Sequence, residues 1–278
     1  MNPNPLSQYF RQPAIYIRLP SQGKFYPTGS IDLTENGEYP VLPMTTLDEI
    51  TYRTPDSLFN GTAVISVIQS CIPNIKNAWH SPGMDIDTIL LAIRIATYGH
   101  ELDITSSCPS CTTENDYGID LRIAIDNIKP PNYSQSLRLG DLEIFFRPMS
   151  YKQMNDNSMT QFEEQKTLQM LQSSDVTDSE KLNNLTEVLK KITTITTQAL
   201  AQNIGLVATP TARVSDQDQI NEWLSNCDRN TFVKIRDTII ENKQQGELQP
   251  INVKCNNCSH EYAQPFTLDM SNFFGAAS

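Results

Sequence analysis

Four of the six cysteines in the 278-residue chain form two matched groups, Cys108-Pro109-Ser110-Cys111 and Cys255-Asn256-Asn257-Cys258. Two intervening residues let a tight turn aim both thiolates at one ion, with metal–sulfur distances of about 2.3 Å. One such turn supplies two ligands, whereas a closed structural site takes four. The two groups therefore read as halves of one tetrahedral zinc site with ligands Cys108, Cys111, Cys255 and Cys258, one zinc per chain. Four thiolates leave no open coordination position, which suits structure and not catalysis. A single offset of 147 residues, from Cys108 to Cys255, also lays Ile104 on Ile251, Glu114 on Glu261, Leu121 on Leu268 and Ile119 on Phe266. Each copy then reads as strand, Cys-x-x-Cys turn, strand. The alternatives are unmetallated thiols and a redox dithiol. The second is disfavoured because neither pair opens a helix after a buried strand, where a thiol pKa would fall. His260 could replace one cysteine, although a surface role is expected for it.

Little else in the sequence suggests chemistry. His80, His100 and His260 lack metalloprotease spacing, and the Gly23-Lys24 pair lacks the rest of a phosphate-binding loop. Asp48, Glu49, Arg53 and Asp56 are dense enough to suggest acid–base work, but capping and ion pairing at helix starts explain them more simply. Cys71 falls on an apolar helix as a core thiol, and Cys227 reads as a small half-buried residue at a helix end. No catalytic residue is assigned and no enzyme is expected.

The elements that must position the cysteines follow from pattern. Residues 1–50 read as extended and β-rich, with Ile15 and Ile17 alternating with Tyr16 and Arg18, and Gly, Pro and Asn-Gly turn signals after them. The first sixteen residues are too proline-rich for a helix. Residues 51–128 hold a helical core and the first knuckle. A helix capped at Thr54 and Pro55 precedes Gly61, an apolar helix runs to Pro73, and a third starts at Asp85 or Asp87 and stops at Gly99. Its residues Ile86, Leu90 and Ile93 mark it as buried on much of its surface.

Residues 129–245 form a hairpin and an inserted, mostly α-helical lobe. In it Leu182, Leu185, Leu189, Ile192, Thr196 and Ala199 trace a helical seam ended by Gly205. The seam packs against the helix over 149–172, or alternatively on a partner helix. Two shorter helices carry Trp223, Leu224, Phe232, Ile235 and Ile239 as core. Residues 246–278 hold the second knuckle and a tail with Phe273 and Phe274. The fold class is α+β: a β-rich N-terminal platform with helices, a split zinc ribbon and the inserted lobe.

Composition narrows the partners. A formal net charge of −11 disfavours phosphate-backbone binding, which relies on Lys and Arg. No apolar run is long enough to span a bilayer and no signal peptide is evident, so a cytosolic chain with no membrane or nucleic-acid partner is expected.

Several stretches together carry a family likeness: LPSQGKFYP, PMTTLDEITYRTPDSLFNG, CIPNI, DIDTILLAIRIATYG, CPSC and the terminal SNFFG. They resemble the baseplate hub family of T-even-type (T4-like) contractile-tailed bacteriophages. The likeness is clear over roughly residues 15 to 125, moderate over the last thirty, and limited to helical character between. It implies a noncatalytic viral tail component, made in the host bacterial cytoplasm, that acts in assembly of the baseplate hub. It implies hub or tape-measure proteins as partners, is compatible with a homo-oligomer, and leaves open a place in the virion tail baseplate. A transient assembly chaperone for the hub or tape-measure protein is the alternative, and a zinc-ribbon nucleic-acid-binding protein the second. The resemblance carries no catalytic residue onto this chain.

Overall fold

The computed structural model describes residues 4–54, 57, 59–173 and 178–266. The chain divides into two compact units, one made of residues 1–130 with 245–278 and the other of Pro131–Gln244. The second is thus an insertion in the sequence of the first. No helix among the described residues is long and apolar enough to cross a membrane.

The first unit opens with a 3-10 helix, Pro5–Tyr9, started by the Asn4 side chain accepting from the Leu6 N–H. The proline content that argues against a long helix suits this single turn, because proline's fixed φ matches a helix start. Strand β1 (Ile15–Arg18) pairs antiparallel with β2 (Glu38–Val41), with Ile15 opposite Val41. The expected alternation holds at its centre, since Ile17 is buried and Tyr16 exposed. Among the described residues of the N-terminal platform, the strands are β1 and β2.

Helix α1 (Thr46–Tyr52) begins with a capping box, in which Thr45 and Asp48 satisfy each other's backbone N–H groups. Asp48 also receives Arg11 at 3.2 Å and Ser70 Oγ at 3.0 Å, and Glu49 accepts the Tyr98 hydroxyl at 3.0 Å. The acidic cluster is therefore structural, as expected. Asp56 and Pro55, the expected first residue of the helix capped at Thr54, lie outside the described residues.

Helix α2 (Thr62–Cys71) buries Val64, Ile65, Val67, Ile68 and Cys71. Burial pushes the Cys71 thiol up to about 12, with Asp48 adding to the effect, so this cysteine is an inert core group. Helix α3 (Gly83–Tyr98) is buried at every residue from Thr88 to Arg94 and is closed by Gly99.

Helix α3 starts two residues before Asp85, which does not cap it. Instead Asp85 is wholly buried, and its carboxylate accepts Ser21 N–H at 2.8 Å, Ser21 Oγ at 2.5 Å and Tyr26 OH at 3.0 Å. It thereby ties the helix to a loop in which Gln22, Gly23 and Phe25 all have positive φ. A side chain at Gly23 would meet Leu33 Cδ2 at 2.5 Å, so close approach as well as φ requires glycine there.

Strands β3 (Glu101–Ser107) and β4 (Glu114–Asp120) form one hairpin, followed by the short helix α4 (Leu121–Asp126). After the insertion, β9 (Ile251–Lys254) and β10 (Glu261–Gln264) form a second.

The inserted unit is built on an antiparallel four-stranded sheet in the order β5 (Ser136–Leu139), β6 (Leu142–Phe146), β7 (Ile204–Ala208), β8 (Arg213–Val214). Between β6 and β7 run the long helices α5 (Tyr151–Ser173) and α6 (Asp178–Gln202). They pack together as an antiparallel hairpin, tied by Glu164–Lys191 at 3.7 Å and Asn157–Gln202 at 2.9 Å. The intramolecular reading of the seam thus holds, with corrected members. Val188 and Ala201 are buried, Ile192, Ile195 and Ala199 are half-buried, and Thr196 is exposed. The side chains of Leu182, Leu185 and Leu189 lie outside what is described.

Gly205 does not end α6. The helix stops at Gln202, where the Asn203 side chain takes the Ala199 carbonyl at 2.8 Å. Gly205 belongs to β7, a short apolar run that supplies the third strand. Helices α7 (Gln217–Asn226) and α8 (Arg229–Gly246) cover the sheet. The core joins Ile144, Phe146, Ile204 and Val207 to Ile220, Leu224, Ile235 and Ile239, with Trp223, Phe232 and Cys227 packed against it.

Ile144 is fully buried at the centre of this core. Ile144→Ala is expected to destabilise the inserted unit by about 2–5 kcal/mol, the transfer loss plus the cavity left behind. Urea unfolding followed by Trp223 fluorescence in a Trp79→Phe background reads the loss.

Candidate metal centre

Both hairpins turn in the same way at their cysteines. The Cys108 N–H donates to the Thr113 carbonyl at 3.0 Å and the Thr112 N–H to the Cys108 carbonyl at 2.9 Å. In the second hairpin, Cys255 N–H donates to His260 at 2.9 Å and Ser259 N–H to Cys255 at 3.0 Å. Thr112 and Ser259 adopt φ of 57° and 59°, a left-handed conformation that costs a non-glycine residue roughly 1–2 kcal/mol. Strand register repeats as well, with Ser107 opposite Glu114 and Lys254 opposite Glu261. The offset of 147 residues seen in the side chains therefore extends to backbone bonds, dihedral angles and register. Leu268, the counterpart of Leu121, lies outside the described residues.

The two turns face each other. Sulfurs of Cys108 and Cys258 lie 3.7 Å apart, those of Cys111 and Cys255 lie 3.6 Å apart, and all four fall within 4.8 Å of one another. A disulfide would need about 2.05 Å, and all four are free thiols. Ligands at about 2.3 Å around a tetrahedral ion stand about 3.8 Å apart, so the close pairs already have the spacing of one shared ion. The imidazole of His260 is not among these clustered atoms and stacks near Tyr262 with ring centroids 6.2 Å apart.

Hydrogen bonds tune the thiols unequally. The Thr113 hydroxyl and backbone N–H hold Cys111 down to about 6. Backbone donation from Cys258 lowers Cys255. The His260 N–H pulls Cys258 down, but the neighbouring sulfurs outweigh it and push that thiol up to about 11. Crowded thiols ionise at one another's expense; a cation at the centre removes the conflict by deprotonating its ligands. Cys108 and Cys255 are buried, Cys111 is half-buried and Cys258 exposed, so one corner of the cluster is open to solvent.

Residues around the sulfurs were not evident from spacing. The Asn115 amide donates toward Cys255 Sγ at 3.6 Å while its oxygen accepts the Asn256 N–H at 2.9 Å. Asn257 reaches Thr113 Oγ1 at 3.1 Å. Farther along the strands, Ser106 bonds Gln264 at 2.6 Å and Tyr262 at 3.0 Å, and Tyr117 OH donates to the Lys254 carbonyl at 3.0 Å. Spacing finds ligands because metal geometry constrains them. Polar residues that bridge the hairpins obey no such spacing.

With this geometry established, comparison with known sequences places the chain. The sequence model of a family described as T4 bacteriophage base plate protein matches residues 36–275. The chain belongs to this family. The matched span includes both cysteine turns of the baseplate protein and the whole inserted unit. No match was found among curated proteins or among solved structures.

Any metal held by the four sulfurs of the baseplate protein is expected to bind roughly 10–100-fold more weakly in Asn115→Ala, the usual effect of losing a group that orients a ligand. Competition against a chromophoric chelator measures it.

Proposed function

We propose that this baseplate protein is a noncatalytic component that acts in assembly of the baseplate hub, with one structural zinc held by Cys108, Cys111, Cys255 and Cys258. The observation that carries the reading is the convergence of four thiols from chain segments on either side of a 114-residue insertion, Pro131–Gln244. A closed four-sulfur site fastens those segments and offers no position for a substrate. The sequence boundaries 1–50, 51–128, 129–245 and 246–278 are proposed as the working domain division. Its inserted segment differs from the compact unit by two residues at the start and one at the end.

Partners are proposed to be other hub or tape-measure proteins, met in the host cytoplasm during assembly and retained in the tail. Nucleic acid is excluded from the reading because Glu101, Asp103, Glu114 and Asp116 on the first hairpin are exposed acids, which repel phosphate. Quantitative mass spectrometry of purified mature tails tests residence. Stoichiometric presence is expected; absence would leave a transient assembly chaperone instead.

A further inference from the structure

The N-terminal arm is anchored at its base and exposed along its length. Arg11 reaches into the first unit, where its guanidinium donates to the Pro43 carbonyl at 2.6 Å, the Ser70 carbonyl at 2.7 Å and Asp48 at 3.2 Å. The 3-10 helix just before it, Pro5–Tyr9, buries no residue. Leu6, Tyr9 and Phe10 are 63%, 76% and 59% exposed. Single exposed apolar residues are ordinary, but here three crowd one short segment, Asn4–Phe10, that holds no Asp, Glu, Lys or Arg. Arg11 fixes the base from which they are presented.

The same unit offers a matching concavity. A cleft of about 620 Å³ opens between β4 with α4 and the segment entering β9, lined by Ile119, Ile123, Leu248, Pro250, Ile251 and Val253. Ile123 is 61% exposed. The charged residues among the described lining are already paired, Asp120 with Arg122 at 2.6 Å and Lys254 with Glu261 at 3.9 Å. An occupant's charge would therefore lose hydration without gaining a free counter-charge, so the cleft favours an uncharged, apolar segment. Its volume lies within the roughly 300–1,000 Å³ of sites that bury a small ligand, enough for the adjacent rings of the arm. The arm does not fill the cleft of its own chain, because every residue from Asn4 to Phe10 is exposed.

We propose that the chain self-associates by docking the Asn4–Phe10 arm of one copy in the cleft between β4, α4 and β9 of another. Tyr9 and Phe10 enter as aromatic anchors of the kind that dominate interface energies, and they cover Ile123. The two surfaces differ, so each copy can give an arm and receive one, and association runs beyond pairs to rings or longer chains. This goes beyond the hub reading. The cleft spans both cysteine hairpins, so zinc content of the same sample separates failure of that reading from failure of this one.

Sedimentation velocity of the full chain over a rising concentration series reads the association. Wild type is expected to form dimers and larger species. Tyr9→Ser with Phe10→Ser, at positions the fold leaves exposed, should weaken association by about thirtyfold or more, the loss of a hot-spot anchor. Ile123→Asp should do the same from the cleft side, and an acid in the first turn of α4 suits that helix. Mixed in equal amounts, the two variants should recover heterodimers and nothing larger, because only one intact arm then meets one intact cleft. The acetylated, amidated peptide Asn4–Phe10 should return wild type to monomer, which keeps the test decisive if Ile123→Asp does not fold.

A wild-type chain that stays monomeric would overturn the proposal; if it still binds the free peptide calorimetrically, the cleft belongs to an arm-like segment of another protein. Association unchanged in either variant, or a mixture that fails to pair, would overturn it as well. Association that appears only in Phe273→Ser with Phe274→Ser would assign the cleft to the chain's own last residues and overturn the second copy as its occupant.

Discussion

Cys255→Ser, or removal of the proposed zinc by a chelator, is expected to open both cysteine hairpins together and to expose the two ends of the 131–244 insertion to protease. Each hairpin has only two strands, which is marginal by itself in water. In the second, Val253, Cys255 and Phe266 are the buried apolar residues, too few to hold it closed. Further closure comes from the hydrogen bonds of Ser106, Tyr117, Asn115 and Asn257 across the hairpins and from the sulfurs. Where a metal site forms only on folding, its binding free energy is folding free energy, on the order of 10–16 kcal/mol for structural zinc in small fingers. Limited proteolysis should then release a fragment close to the inserted unit, while Cys227→Ser, outside the cluster, should leave the pattern unchanged. A wild-type cleavage pattern for Cys255→Ser would count against a shared site.

The second large effect is at Asp85. Asp85→Ala removes the acceptor from three donors, the N–H and hydroxyl of Ser21 and the hydroxyl of Tyr26. An unsatisfied buried donor costs roughly 1–3 kcal/mol, so a loss of about 3 kcal/mol or more is expected. The strained loop at Gln22, Gly23 and Phe25 should lose its anchor as well. Burial, opposed by the Ser21 and Tyr26 hydrogen bonds, raises the Asp85 carboxyl from 3.8 to about 6. The folded state therefore holds the proton more tightly than the unfolded one. Stability from this group is fully present below about pH 4 and is lost as pH rises to about 6, by about 3 kcal/mol at 1.36 kcal/mol per pH unit. Asp85→Asn should flatten that slope. Thermal unfolding of wild type and Asp85→Asn between pH 4 and 7 checks the sign, and parallel curves would contradict it.

The clustering of the four cysteines was largely legible because its constraint is local. Two residues between cysteines fix a turn, and the turn dictates the backbone bonds and the left-handed residue after Cys111 and Cys258. Asn115 escaped notice because its partner, Asn256, is distant in sequence and nothing in the spacing relates them. An acid is a common helix-start signal, so the sequence places the start at Asp85 or Asp87; Asp85 is instead buried against the Ser21 loop, and the helix begins at Gly83. Strand β7 was missed because Gly205 follows a helical pattern and reads as its terminator. Tertiary pairing with β6 decides the conformation of Ile204–Ala208. In α6, periodicity located the packing face and two of its half-buried members, Ile192 and Ala199, but also named Thr196, which is exposed, and omitted the buried Val188. The N-terminal aromatics Tyr9, Phe10 and Tyr16 are exposed, whereas Phe273 and Phe274 lie outside the described residues.

In the proposed function a single zinc joins two distant halves of one ribbon. Native mass spectrometry of the purified full chain, before and after chelation, tests it directly. One zinc per chain is expected, removed by chelator and absent from Cys255→Ser. A chain that carries no metal when purified in reducing, zinc-replete buffer would contradict it.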